Sequence, residues 1–291
     1  MSALQDGVIT RNTVRNDPGY WRLPNSKTRP FRDWKAWGHG KVEVLKSIEE
    51  SVDTFYYQIA YDMGIDRLST WMNKFGFGDY TGIDIYEESK ANMPTREWKV
   101  ARYRTPWYQG DTIPVGIGQG YWTATPMQIA KATTVLVNHG KVYPPHLLRA
   151  IVNDGKEEVI PVEPYPPIQG VSERNWDTAL KGMELVNHGK TGTARRAFHG
   201  APYLSGGKSG TARYLAWERT KNTTRKRSQN TCVTTPCLPA LHRLNTLKPW
   251  FRWYWKTPVA AQATVRRLSG RSLTTYSSTK TANLNLTIHR T

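Results

Sequence analysis

The chain has 291 residues, a formal net charge of +18, and 38% apolar residues that include 12 tryptophans. That length and apolar mass can bury one large core or two ordinary ones. No stretch is long and apolar enough to span a membrane, and the N-terminus lacks the apolar run of a signal peptide, so the chain taken literally is expected to stay in the cytoplasm.

The charge is unevenly placed. Residues 213–291 hold 15 Lys and Arg against the single acid Glu218, which leaves 26 basic and 22 acidic residues in 1–212. The first part therefore carries +4 and the last part +14. Both cysteines, Cys232 and Cys237, lie in that last part, and a lone pair at this spacing says little about a metal or a disulfide.

Residues 1–46 read as loop-rich and aromatic. In the segment KSIEESVDTFYYQIAYDMG, Ser47 and Glu50 have the spacing of a capping box. Phe55, Tyr56, Ile59, Ala60 and Met63 then recur at helical spacing, and Gly64 is placed to stop the helix. A second amphipathic helix is predicted from Arg67 to Lys74, with Leu68, Trp71, Met72 and Phe75 on one face. The clearest local signal is TATPMQIAKATTVLVNHGK. Thr125 stands as N-cap, Pro126 at the first helical position and Gln128 three residues into the turn, predicting a helix to about Asn138 that ends at Gly140. HLLRAIVNDGKEEVI reads as a strand, a turn at Asn153–Gly155 and a strand, and SERNWDTALKGMELV as another capped helix. Beyond Arg213, caps, breakers and apolar periods cease to agree, and such agreement marks a foldable sequence.

Three short elements stand in order: SVD at 51–53, GQGYWTATPMQIAKA at 118–132 and APYLSGGKSGTA at 201–212. Alone, SVD is a common helix start and K-S-G a common turn; GKTGTARRAF at 189–198 is a second near-copy. Together with GVITRNT, WGHGK, MGIDRLSTWM, NMPTREWK and PWYQGDTIPVGIGQGYWTATPMQ, the set resembles the transpeptidase domain of class B penicillin-binding proteins, in the subfamily that serves rod elongation. The resemblance covers essentially all of 1–212. It implies an α+β fold of the penicillin-binding/serine β-lactamase type, an antiparallel five-stranded sheet flanked by helices, incomplete here at both ends. The implied division is a partial transpeptidase domain at 1–212 and a basic tail at 213–291. With strands lacking, an open sheet edge beside the K-S-G strand is expected, and open edges favour aggregation.

The implied chemistry is acyl transfer. A serine activated by a lysine one helical turn on attacks the penultimate D-Ala carbonyl of a peptidoglycan stem peptide and releases the terminal D-Ala; β-lactams intercept the same serine. By resemblance, Ser51 relays a proton to the leaving amine and Asp53 orients the serine–lysine network. Lys208, Ser209 and Thr211 hold the terminal carboxylate of the donor, and Gly210 leaves room for substrate along the strand. The Thr211 N–H is an implied oxyanion donor. Lys208 is preferred over Lys190 because its lead-in matches the family's strand. Ser205 and Lys208 spell S-x-x-K, but in a strand, where the helix-borne nucleophile does not sit. The S-x-x-K of the family is expected upstream of Ser2, so the 291 residues as written are expected to be inactive.

The resemblance also implies that no cofactor is required and that some members hold zinc beside the motif that stands here as S-V-D, through carboxylates, a histidine and a cysteine. The matching residues are Asp17, Asp33 and His39, with Val52 at the cysteine position; three such ligands suffice for zinc with an open position, and the plain alternative is a salt-bridge and hydrogen-bond cluster. The parent protein would sit in the inner membrane, facing the periplasm, within the rod-elongation complex.

The tail allows a test of reading frame, because tryptophan has one codon. Taking the last base of each codon with the first two of the next, Trp250–Phe251 contains GTT, Trp253–Tyr254 GTA, Tyr254–Trp255 a leucine codon and Trp255–Lys256 GAA. WFRWYWKT thus decodes as V-x-[VLM]-V-L-E-[ND], similar to the valine strand the family carries after K-S-G. The tail is expected to be out of frame from about Arg213. The competing reading is a non-catalytic binding protein whose basic, aromatic tail lies on nucleic acid or a membrane surface. On the frame-slip reading, nucleic acid is not a partner.

Overall fold

The computed structural model describes residues 1–210 and the backbone of 241–242. The elements in chain order are α1 (Ser2–Gln5), β1 (Val14–Asp17), β2 (Tyr20–Trp21), β3 (Phe31–Arg32), β4 (Gly40–Glu43), α2 (Val44–Glu49), α3 (Asp53–Lys74), α4 (Arg96–Tyr103), α5 (Gln109–Val115) and α6 (Pro126–Val137). They are followed by β5 (Ala150–Asn153), β6 (Lys156–Val159), α7 (Glu173–His188), α8 (Arg195–Phe198), β7 (Ser205–Gly206) and β8 (Leu241–His242).

The strands pair antiparallel as β1–β4, β2–β3, β5–β6 and β7–β8. Among the described residues every sheet has two strands, and the mixture of helices with antiparallel sheets is that of the α+β fold implied by the resemblance, expected to be incomplete at both ends. The edge expected to stand open beside the K-S-G segment is paired: Ser205 faces His242 and Gly206 faces Leu241. The rest of the frame-slip reading falls on residues outside those described.

The helix forecasts fare unevenly. Thr125 caps α6, its hydroxyl accepting the Gln128 N–H at 3.1 Å while the Gln128 side chain accepts the Thr125 N–H at 3.0 Å. The Gln128 amide is fully buried and donates onward to the carbonyls of Asp79 and Lys90, so one cap also pins the preceding loop. The β5–β6 hairpin turns at Asp154 and Gly155, both at positive φ, as the Asn-Asp-Gly sequence requires. α7 forms as predicted, although the Ser172 hydroxyl makes no capping bond.

Two expectations change. Ser47 is not an N-cap: it lies inside α2, which starts at Val44, and its buried hydroxyl turns back to the Val44 carbonyl at 2.7 Å. Serine bonds to a carbonyl one turn back as readily as it caps, and here burial selects the first. Gly64 does not end the helix either. It breaks the helical path with φ 71° and ψ 166°, and the chain resumes at once, so the two predicted helices become one kinked α3.

The main core gathers Val42, Val52, Phe55, Met63, Val135 and Trp176, and a second cluster holds Ile65, Leu68, Met93, Trp107 and Val115. α3 supplies residues to both, which makes it the axis of the structure. α2 lies along α7, and β7 lies on α7 as well. These two packings bring residues 49–53 and 205–209 together from opposite ends of the sequence.

Candidate active site

The turn between α2 and α3 carries Ser51-Val52-Asp53. α2 closes with paired bonds, from the Val52 N–H to the Ser47 carbonyl at 3.0 Å and from the Ser51 N–H to the Ile48 carbonyl at 3.3 Å. This is a Schellman closure, and its left-handed position, normally glycine, is Ser51 at φ 57°. The Trp34 indole N–H reaches the carbonyls of Glu50 and Ser51, both at 3.1 Å, and bridges the turn from outside. Val52 has no side-chain donor or acceptor to cap α3. Asp33 does so from a distant loop, its carboxylate accepting the Thr54 N–H at 3.1 Å.

On the facing segment, the Gly207 N–H bonds to the Met183 carbonyl at 2.9 Å and continues the contact of β7 with α7. The next residue, Lys208, extends its Nζ to the Ser51 Oγ at 2.7 Å and to the Ser209 carbonyl at 3.0 Å. Burial pulls the Lys208 ammonium down to about 8, with nearby Asp53 opposing the fall. Burial also pushes Asp53 up to about 6; Asp33 adds to the rise, while the Trp34 backbone, Lys208 and His39 act against it. The site therefore holds a lysine and a carboxylate whose titrations are drawn toward neutrality from both sides, a common condition where protons must move.

Gly210 is exposed, and a Cβ built there would meet nothing within 4 Å, so its face of the segment is open. Thr211 lies outside the described residues. The near-copy at Lys190 sits in the turn after α7, with Lys190 exposed. Ser205 is buried in β7, away from the surface, and its hydroxyl is engaged with Asn187 at 3.0 Å and with the His188 ring at 3.1 Å.

Asp17, Asp33 and His39 do come together. All three are buried, and one ligand atom from each lies within 4.8 Å of the others. His39 Nδ1 is 2.6 Å from Asp17 Oδ2, and the same oxygen accepts the His39 backbone N–H at 2.8 Å. Burial pushes the Asp17 carboxyl up, but hydrogen bonds led by that from the His39 ring outweigh it and hold the group below its ordinary value. The buried His39 Nε2 has no hydrogen-bond partner; Glu50 Oε2 is 3.8 Å away. Trp34 was not singled out in the sequence. Its signal, an indole beside the Ser51-Val52-Asp53 turn, exists only once the 33–39 loop folds over that turn.

Residues 1–234 match the family model described as the penicillin binding protein transpeptidase domain. The peptidoglycan D,D-transpeptidase MrdA of Escherichia coli (strain K12) is 58% identical over 214 residues, which is 73% of this chain and 33% of that protein. The crystal structure of Pseudomonas aeruginosa PBP2 in complex with WCK 5153 superimposes with a TM-score of 0.66 at 42% identity, covering 72% of this chain and 45% of that one. Helicobacter pylori PBP2, solved as a complex with MreC, gives 0.62 at 30% identity over 73% of this chain and 38% of that one.

The chain belongs to the penicillin-binding protein transpeptidase family, in its PBP2-like branch. It spans about a third of the length of the MrdA protein it matches. The binding-protein reading is not favoured by these likenesses, which run through all three motifs. A transpeptidase of this family works without a cofactor.

Proposed function

We propose that this chain carries the substrate-holding and proton-relay part of a peptidoglycan D,D-transpeptidase. The observation that carries the reading is the 2.7 Å bond from Lys208 Nζ to Ser51 Oγ, made across 157 residues of sequence. The two groups belong to the two motifs that the family pairs at its site.

The ammonium of Lys208 and the hydroxyl of Ser209 hold the terminal carboxylate of a stem peptide, with Gly210 leaving its face clear. Ser51, bonded to Lys208, passes a proton toward the leaving D-Ala amine. Asp53 supplies the opposing charge that keeps Lys208 protonated near neutral pH. The acyl-accepting serine belongs to the family's S-x-x-K helix, which none of the described elements is. The parent works with elongation partners, a reading supported by the MreC complex of the H. pylori relative, and its place at the periplasmic face of the inner membrane is what the family resemblance implies. Among the described residues no helix is long and apolar enough to cross a membrane.

The donors of Asp17, Asp33 and His39 also suit a zinc ion, since zinc takes imidazole and carboxylate together and the ligand atoms converge in a buried place. An ion held there would bind β1 and the 33–39 loop to the start of α3. It would serve the frame around Ser51 and take no part in proton transfer.

The test is reversible binding of a peptide ending in D-Ala-D-Ala to the 291-residue chain. Affinity is expected to fall as pH rises through about 8, where Lys208 loses its proton, and to be lost in K208A. Affinity that stays level from about pH 7 to about pH 10, or survives K208A, sinks the reading.

A further inference from the structure

The turn after α7 carries an arrangement that the relay and the lysine do not use. Glu49, the last residue of α2 and two before Ser51, directs Oε1 at the Thr191 N–H at 3.0 Å and at the Thr191 hydroxyl at 2.9 Å. The Glu49 backbone carbonyl accepts the Thr193 N–H at 3.2 Å. Gly189 makes room for the carboxylate: a Cβ there would lie 2.2 Å from Glu49 Oε1. Gly192 is equally confined, with its Cβ position 2.3 Å from the Leu185 carbonyl oxygen. The turn is thus locked to Glu49, just before Ser51-Val52-Asp53.

Its outcome is the placement of one exposed hydroxyl, that of Thr193, against the K-S-G segment. Thr193 Oγ1 lies 2.7 Å from Ser209 Oγ, the side chain next to Lys208. Between two hydroxyls at this separation one donates and the other accepts, and the proton of the acceptor is left free to point elsewhere. When Thr193 donates, the Ser209 proton is free for an anion held by Lys208, and the chain of bonds polarises it further.

From this geometry we infer that Thr193 and Glu49 are positioning residues of the carboxylate subsite: Glu49 fixes the 189–194 turn, and Thr193 orients the Ser209 hydroxyl toward the terminal carboxylate of the donor peptide. The inference rests on the reading of Lys208 and Ser209 as carboxylate holders. The second K-[ST]-G-like segment thereby gains a role of its own, as support to the first.

The experiment uses the 291-residue chain and two probes, a peptide ending in D-Ala-D-Ala and the same peptide with its C-terminus amidated. In T193V the affinity for the acid is expected to drop about three- to tenfold, the range of one hydrogen bond, with the amide unaffected. T193S restores the acid affinity, E49Q lowers it in the same sense, and T193V/S209A is no weaker than S209A alone. A merely structural role would move both peptides together. T193V at wild-type affinity beside a weakened S209A overturns the inference and leaves the proposed function standing. S209A unchanged as well, or a wild type that takes acid and amide alike, overturns both. Should T193V not fold, T193A carries the same comparison.

Discussion

Ser51 combines two demands that oppose each other. As the left-handed residue of a helix closure it would best be glycine, since a Cβ at φ 57° crowds the following carbonyl. As the partner of Lys208 it needs a hydroxyl. The turn holds the strained serine through the Trp34 indole on its carbonyl and the paired closure bonds of α2. Strain kept in this way is common at functional sites. The cost is measurable by comparing S51G with S51A, both of which lose the hydroxyl. S51G is expected to be the more stable by about 1 kcal/mol in denaturant melts. Equal midpoints for the two variants would mean that the turn carries no such strain.

At the scale of elements, the site depends on how closely α2 approaches α7. A Cβ on Gly182 would lie 2.5 Å from the Ile48 Cδ1 and 2.9 Å from its Cβ, so the helices meet at a contact with no space for a methyl group. G182A is expected to lower stability by about 1–2 kcal/mol, overpacking outweighing the better helix propensity of alanine. It should also weaken peptide binding, because Ser51 follows α2 and Lys208 rides on α7 through β7. A variant that melts and binds like wild type would remove this packing from the account. The elements show how far local pattern reaches. The Thr125–Gln128 box, Pro126 and the Asn-Asp-Gly turn are readable because each satisfies its own backbone within four residues. Ser47 misleads for the same reason: the spacing of a cap was present, but burial of its hydroxyl inside α2 decided otherwise.

At the scale of the molecule, the buried trio beside α3 ties β1 and the 33–39 loop to the helix that begins at Asp53. If zinc sits there, the purified chain should contain about one zinc per molecule, H39A should contain none, and a chelator should lower the melting temperature of the wild type alone. A metal-free chain indifferent to chelator would leave the trio as a hydrogen-bonded knot. The charge belongs to this scale too. The part bearing the motifs is nearly balanced at +4, and the remaining +14 falls in residues 213–291.

By itself the sequence determined the family, because ordered motifs, caps and turns are written in short runs, and it put forward Ser51, Asp53 and Lys208 as candidate site residues. It also located the trio of Asp17, Asp33 and His39 as residues that belong together. Only the tertiary structure decided that Glu49 and Thr193 stand against the site, that Trp34 braces Ser51, and that Lys208 and Asp53 are drawn toward one another's range of titration. Those features come from burial and from the meeting of separate segments, 142 and 157 residues apart in the Glu49–Thr191 and Lys208–Ser51 bonds and 16 to 17 apart in the Trp34 and Thr193–Ser209 bonds. No local pattern encodes such distances, since desolvation and close packing exist only when the helices have come together.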